Sequence, residues 1–152
     1  MKKLISFFVS LLFALNVFSG EHDTIDHHAL TFTMVVPPEL VEEGYQLWMS
    51  HAKWMKSTHF KSGPKALHYY EVSTMDELSD PLDFNSKKTG NVIFVLHEVY
   101  KNVDGIQDHF NRTPEFKDWP KLEAWMNKVK MQKVANGTIF NSLTWGSGVQ
   151  GK

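Results

Sequence analysis

The stretch Val92-Ile93-Phe94-Val95-Leu96-His97-Glu98-Val99-Tyr100 decides the fold. Its β-branched and aromatic residues favour an extended chain. Its two alternating faces, Ile93, Val95, His97, Val99 and Phe94, Leu96, Glu98, Tyr100, are both mainly apolar. A strand of this kind is covered on both faces. His97 and Glu98 point to opposite faces, so only one of them can line a pocket between the sheet and its helices. The other lies toward whatever covers the second face.

Before this strand, Ser73 to Asn91 is polar, carries Asp80-Pro81, Asn85 and Gly90, and has no clear period, which predicts a long loop. Ala66 to Val72, with Tyr69, Tyr70 and Val72, predicts a second strand. Gly63-Pro64 closes the connection ahead of it. A helical stripe of Leu40, Val41, Gly44, Leu47, Trp48, Ala52 and Met55 runs to about Lys56. Pro37-Pro38 and the acidic Glu39, Glu42 and Glu43 suit its N-terminal turn. Leu30, Phe32, Met34 and Val36 alternate with Thr31 and Thr33, the pattern of a half-buried first strand. After Tyr100, Asn102 can cap a helical region with apolar positions Val103, Ile106, Phe110, Phe116, Trp119, Leu122, Met126 and Val129. Pro114 and Pro120 divide it. Asn136-Gly137 is turn chemistry, and Thr138 to Trp145 alternates as a last strand.

The order strand, helix, strand, strand, helix, strand predicts an α+β fold: a ferredoxin-like split βαββαβ sandwich with a four-stranded antiparallel sheet and its helices on one face. The other face then needs a cover. A second copy packed sheet on sheet, a homodimer, supplies one.

The ends of the chain read differently. Met1-Lys2-Lys3 followed by the apolar run Leu4 to Phe18 has the layout of a secretory signal, and the run is shorter than the ~20 apolar residues of a spanning helix. Residues 1–19 are therefore expected to be cleaved after Ser19, with 20–29 a flexible lead-in, 30–146 the domain and 147–152 a tail. The protein is expected to be exported, periplasmic or secreted, and to touch a membrane only through an uncleaved signal. Cleavage after Ser19 would also expose Gly20-Glu21-His22, whose amine, amides and imidazole can bind Cu(II) or Ni(II) in a plane; a disordered tail with a histidine at its third position is the alternative.

Composition excludes several functions. The 152 residues carry 16 Lys plus Arg against 17 Asp plus Glu, a net charge of -1, with no basic run past the first three residues, which argues against a nucleic-acid partner. With no cysteine there is no disulfide, thiolate metal site or cysteine nucleophile. No G-x-S-x-G elbow is present, no phosphate loop is present, and His97-Glu98-Val99-Tyr100 lacks the second histidine of a zinc helix.

The strand Val92–Tyr100, the following helix with His109, and Thr113-Pro114-Glu115-Phe116-Lys117-Asp118-Trp119 resemble the antibiotic biosynthesis monooxygenase family of dimeric α/β barrels. The resemblance implies a homodimer that oxidises small aromatic or quinol-type compounds with dioxygen, without metal or organic cofactor. It places Glu98, His109, Phe116 and Trp119 at the site. Such chemistry needs a base near neutral pKa in a dry aromatic pocket. His109 is the candidate catalytic base, or else orients the substrate; a histidine bonded to a backbone carbonyl is its structural alternative. Tyr100 and His51 complete the candidate substrate-binding set, His51 being either pocket-lining or a satisfied core histidine. A non-catalytic module that holds an apolar ligand, or haem on His51, His97 or His109, remains open at this level.

Overall fold

A computed structural model describes residues 26–143. The expected signal, most of the lead-in including Gly20-Glu21-His22, and the tail lie outside the described residues. Residues 26–142 lie within one compact unit. Its elements are β1 (His28–Val36), α1 (Val41–Thr58), β2 (Leu67–Leu78), β3 (Lys88–Tyr100), α2 (Val103–Arg112), α3 (Trp119–Met126) and β4 (Lys130–Thr138), with short 3-10 turns at Pro38–Leu40 and Thr113–Glu115. The sheet order is β2-β3-β1-β4 with every neighbour antiparallel, the expected ferredoxin-like arrangement. Among the described residues no helix is long and apolar enough to cross a membrane.

Alternation along β1 and β3 sorts the core. Leu30, Met34, Val36, Phe94, Leu96, Glu98 and Tyr100 are buried under the helices. The stripe on α1 buries Gly44, Leu47, Trp48, His51 and Met55, and α3 adds Leu122 and Trp125. The Trp125 indole donates to the Leu40 carbonyl at 2.9 Å. A Cβ on Gly44 would stand 2.5 Å from the Trp125 ring, so only glycine lets α1 approach α3 this closely. Gly105 does the same for α2: a Cβ there would meet the Tyr100 ring at 2.7 Å. Asn102 caps α2 as expected, its side chain accepting from the Asp104 amide at 2.9 Å. The two prolines divide the second helical region as expected, into α2, a 3-10 turn and α3.

Three boundaries differ from the sequence expectation. β1 begins at His28, inside the expected lead-in. Most of the expected loop from Ser73 to Asn91 is strand, because β2 continues to Leu78 and β3 starts at Lys88, which leaves only residues 79–87 between them. β2 is an edge strand with little burial beyond Tyr70, so its polar half carries no hydrophobic alternation; Glu77 instead ties it to β3 by accepting from Thr89 and Asn91. Gly90, at φ 101°, lies where the register shifts, a bulge. The last strand is Lys130–Thr138 and not the expected one from Thr138 onward, of which residues 144 and 145 lie outside the described residues. Asn136-Gly137 lies within it rather than in a turn, and residues 139–143 follow outside regular structure. β4 is the other edge, and Lys130, Gln132 and Lys133 hide its period while blunting that edge.

Candidate functional site

Antiparallel register sets Tyr70 of β2 directly opposite Glu98 of β3, with both side chains under the helices. Tyr100 is two residues on from Glu98, hence on the same face, and donates its hydroxyl proton to Glu98 Oε2 at 2.6 Å. From above, His51 descends from the buried stripe of α1 and His109 from the buried face of α2, which also holds Gly105 and Ile106. His51, Glu98 and His109 each offer a donor atom within 4.8 Å of one on each of the other two, and all three residues are buried. Trp54 and Phe116 stack on each other at 5.3 Å between centroids and both pack their rings on His51.

Each member is held from behind. His51 Nδ1 is 3.0 Å from the Tyr70 hydroxyl, and His109 Nδ1 is 3.0 Å from His59 Nε2. One proton order follows on the His109 side. The Thr58 hydroxyl donates to the Trp54 carbonyl, so its oxygen is left to accept from His59 Nδ1, 3.0 Å away. His59 Nε2 is then a bare acceptor, and His109 Nδ1 must donate to it. The neutral His109 ring therefore turns an unprotonated Nε2 into the cluster. Glu98 Oε1, completely buried, has no hydrogen-bond partner among the described residues.

Burial dominates the electrostatics. It holds His51 down to about 3, with the His109 and His59 rings adding to the effect. It holds His109 down to about 3, His59 contributing. His59 is lowered to about 4, by burial first and by the Arg112 guanidinium second. Glu98 moves the other way: burial pushes its carboxyl up to about 7 against the opposing hydrogen bond from Tyr100. The group that titrates near neutrality is therefore Glu98, whereas the sequence reading gave that property to His109.

Two cavities flank Tyr70. One of about 320 Å³ lies between α1 and β2 and is lined by Ala52, Met55, His59, Phe60, Leu67 and Tyr70 among others. The second, about 220 Å³, is lined by residues including Tyr45, Trp48, Tyr70, Val72 and Phe94. Neither wall includes His51, Glu98 or His109. The cluster sits behind Tyr70 and His59, which face the larger cavity.

Of the residues singled out from sequence, His51, Glu98, Tyr100, His109 and Phe116 come together. Trp119 packs against the core at the start of α3 and makes none of the cluster's ring contacts. His97 is on the opposite face, its Nδ1 2.9 Å from the Thr31 hydroxyl and its ring against Tyr69. His59, Tyr70 and Trp54 belong to the site and were not assigned to it. Alternation could have offered Tyr70, but His68-Tyr69-Tyr70 puts an aromatic ring on either face until the register is known. For His59 no signal existed: it follows the last turn of α1 and reaches α2 only because the chain turns extended there. The sequence reading placed no metal site, yet the fold gathers three groups able to ligate one. No protein-family model and no curated protein matches the chain.

Proposed function

We propose that the protein is an exported homodimeric oxidoreductase, similar to the antibiotic biosynthesis monooxygenases, that oxidises small phenolic or quinol-type compounds with dioxygen. The observation that carries this reading is the pair of hydrogen bonds Tyr70–His51 and His59–His109, which join the wall of the larger cavity to the buried cluster. A volume of about 320 Å³ suits a substrate of one or two rings. Its rings meet Met55, Phe60, Leu67 and the rings of Tyr70 and His59, whose polar atoms bond away from the cavity to His51 and His109.

A phenol must lose its proton before it can pass an electron to dioxygen. The Tyr70–His51 bond leads toward Glu98, whose raised carboxyl exchanges a proton near neutral pH. In the complete reaction a phenol becomes a quinone: one atom of dioxygen enters the ring, the other leaves as water, and all four electrons come from the substrate. The test is oxygen uptake with a panel of phenols and hydroquinones. Uptake that falls about a hundredfold or more in Glu98→Gln, with the melting curve unchanged, supports the reading. No uptake with any of them by the wild-type protein overturns it.

One observation favours a second reading, a carrier of apolar ligands: the cluster does not itself line either cavity. Retention of an apolar dye, displaced by phenols without oxygen uptake, would select it.

A further inference from the structure

We propose that His51, Glu98 and His109 form a binding site for one divalent transition-metal ion. The proposal goes beyond the oxidation reading, since it rests on the cluster and not on any reaction.

The argument begins with lone pairs. The chain from the Trp54 carbonyl through Thr58, His59 and His109 leaves His109 Nε2 unprotonated and turned inward. Glu98 Oε1 is buried and unpartnered. His51, engaged at Nδ1 by Tyr70, has Nε2 left to offer. With His51 Nδ1 donating to the Tyr70 oxygen, three electron-pair donors converge within 4.8 Å of one another. A buried acceptor without a partner is costly, and lone pairs brought together repel. A single proton on Glu98 relieves part of this. A divalent cation relieves all of it, and two neutral imidazoles with one carboxylate are a donor set suited to it.

The surroundings are those of a ligating site as well. A metal-bound histidine usually gives its other N–H to a fixed partner, and ligating carboxylates are themselves hydrogen-bonded. Here Tyr70 stands behind His51, His59 behind His109 and Tyr100 behind Glu98, each at 3.0 Å or less. Ligand–metal distances of about 2.1 Å put donor atoms roughly 3.4 Å apart in a tetrahedral site, so the three need close by little more than an ångström. The nitrogen donors select zinc, iron(II), cobalt(II) or a similar ion over calcium or magnesium, which prefer all-oxygen sites. Three protein ligands leave at least one position for a further ligand.

The test is binding alone. The full chain, stripped with a chelator, is dialysed against zinc and separately titrated with cobalt(II) while its absorption is followed. In the full chain Gly20 is not an N-terminus, so the possible amino-terminal copper motif is absent. One equivalent per chain is expected. Affinity should fall a hundredfold or more in His51→Ala, Glu98→Gln and His109→Ala, and roughly 10–100-fold in Tyr70→Phe, while His97→Ala leaves it unchanged. Absence of binding, or binding that Glu98→Gln and His109→Ala leave intact, overturns the site. Where a variant fails to fold, the wild type decides: cobalt must shift the ring proton signals of His51 and His109 in the NMR spectrum, and shifts confined to His27, His28 or His97 overturn the proposal. Metal binding without oxygen uptake removes the oxidation reading and leaves this site standing. Oxygen uptake by protein that binds no metal does the reverse.

Discussion

His97 and Glu98 are neighbours in the chain, and the two faces of the sheet make them opposites. Glu98 lies against His51 of α1 and His109 of α2, with its carboxyl raised by burial and one oxygen unpartnered. His97 lies on the open face, half-buried, bonded to Thr31 and against an exposed Tyr69. The helix face beside Glu98 holds Phe94, Leu96 and Tyr100 almost without exposure; the open face mixes Ile93, Val95 and Val99 with Thr31, Thr33, Glu71 and Gln132. Polarity of the side chain did not decide which residue became chemically distinctive. The element packed over it did, because desolvation without compensation is what shifts a pKa and leaves a lone pair seeking a partner.

The largest test of this contrast is a ring removed from each face. Trp125→Ala takes away a fully buried side chain packed on Trp48 and Phe94, and should cost about 3–5 kcal/mol in urea unfolding. Tyr69→Ala on the open face should cost under about 1 kcal/mol in the monomer. Equal losses would mean that both faces are equally covered.

Activity sharpens the same division. Glu98→Gln should lower oxygen uptake about a hundredfold or more, and His97→Ala by less than about twofold. An inversion of the two would move the reaction to the open face.

Acid provides a third test. The folded pKa of His51 and His109 is about 3 and that of His59 about 4, all below the ordinary 6.5, so the unfolded chain binds more protons. The stability these rings contribute is complete above about 6.5 and is lost as pH falls toward 3. Glu98, raised from 4.5 to about 7, has the opposite sign: its contribution is complete below 4.5 and is lost as pH rises through 7. The melting temperature should therefore fall most steeply below pH 4.5, where Glu98 no longer opposes the rings and the lowered carboxyls of Glu77, Asp108 and Asp118 act in the same direction. Glu98→Gln should gain on the wild type as pH rises from 4.5 to 7. A parallel shift of both curves would show that burial of Glu98 leaves its proton affinity unchanged.

The open face carries the proposed contact between copies. Sedimentation should give twice the monomer mass, and Val95→Lys, a charge at the centre of that face, should restore the monomer. A wild-type monomer would remove the dimer from the proposed function. The smallest effect belongs to the edge: Lys88→Ala breaks an exposed ion pair with Asp76 and should change stability by less than about 0.5 kcal/mol in a thermal melt.

Periodicity was enough to place β1, the central strand, α1, the Asn102 cap and the proline breaks, because these elements bury a face and burial writes a pattern of two or 3.6 into the residues. It failed at the polar half of β2 and at β4. Edge strands bury little, and their hydrogen bonds come from backbone groups that every residue has. The candidate site divides along the same line. Alternation already showed that His97 and Glu98 must part, and a helical stripe already carried His51. Which of the two strand residues faced the helices, that Tyr70 stands opposite Glu98, and that His59 reaches back to fix the His109 proton depended on strand register and on the turn after α1. Those are contacts between residues far apart in the chain, so no local pattern records them.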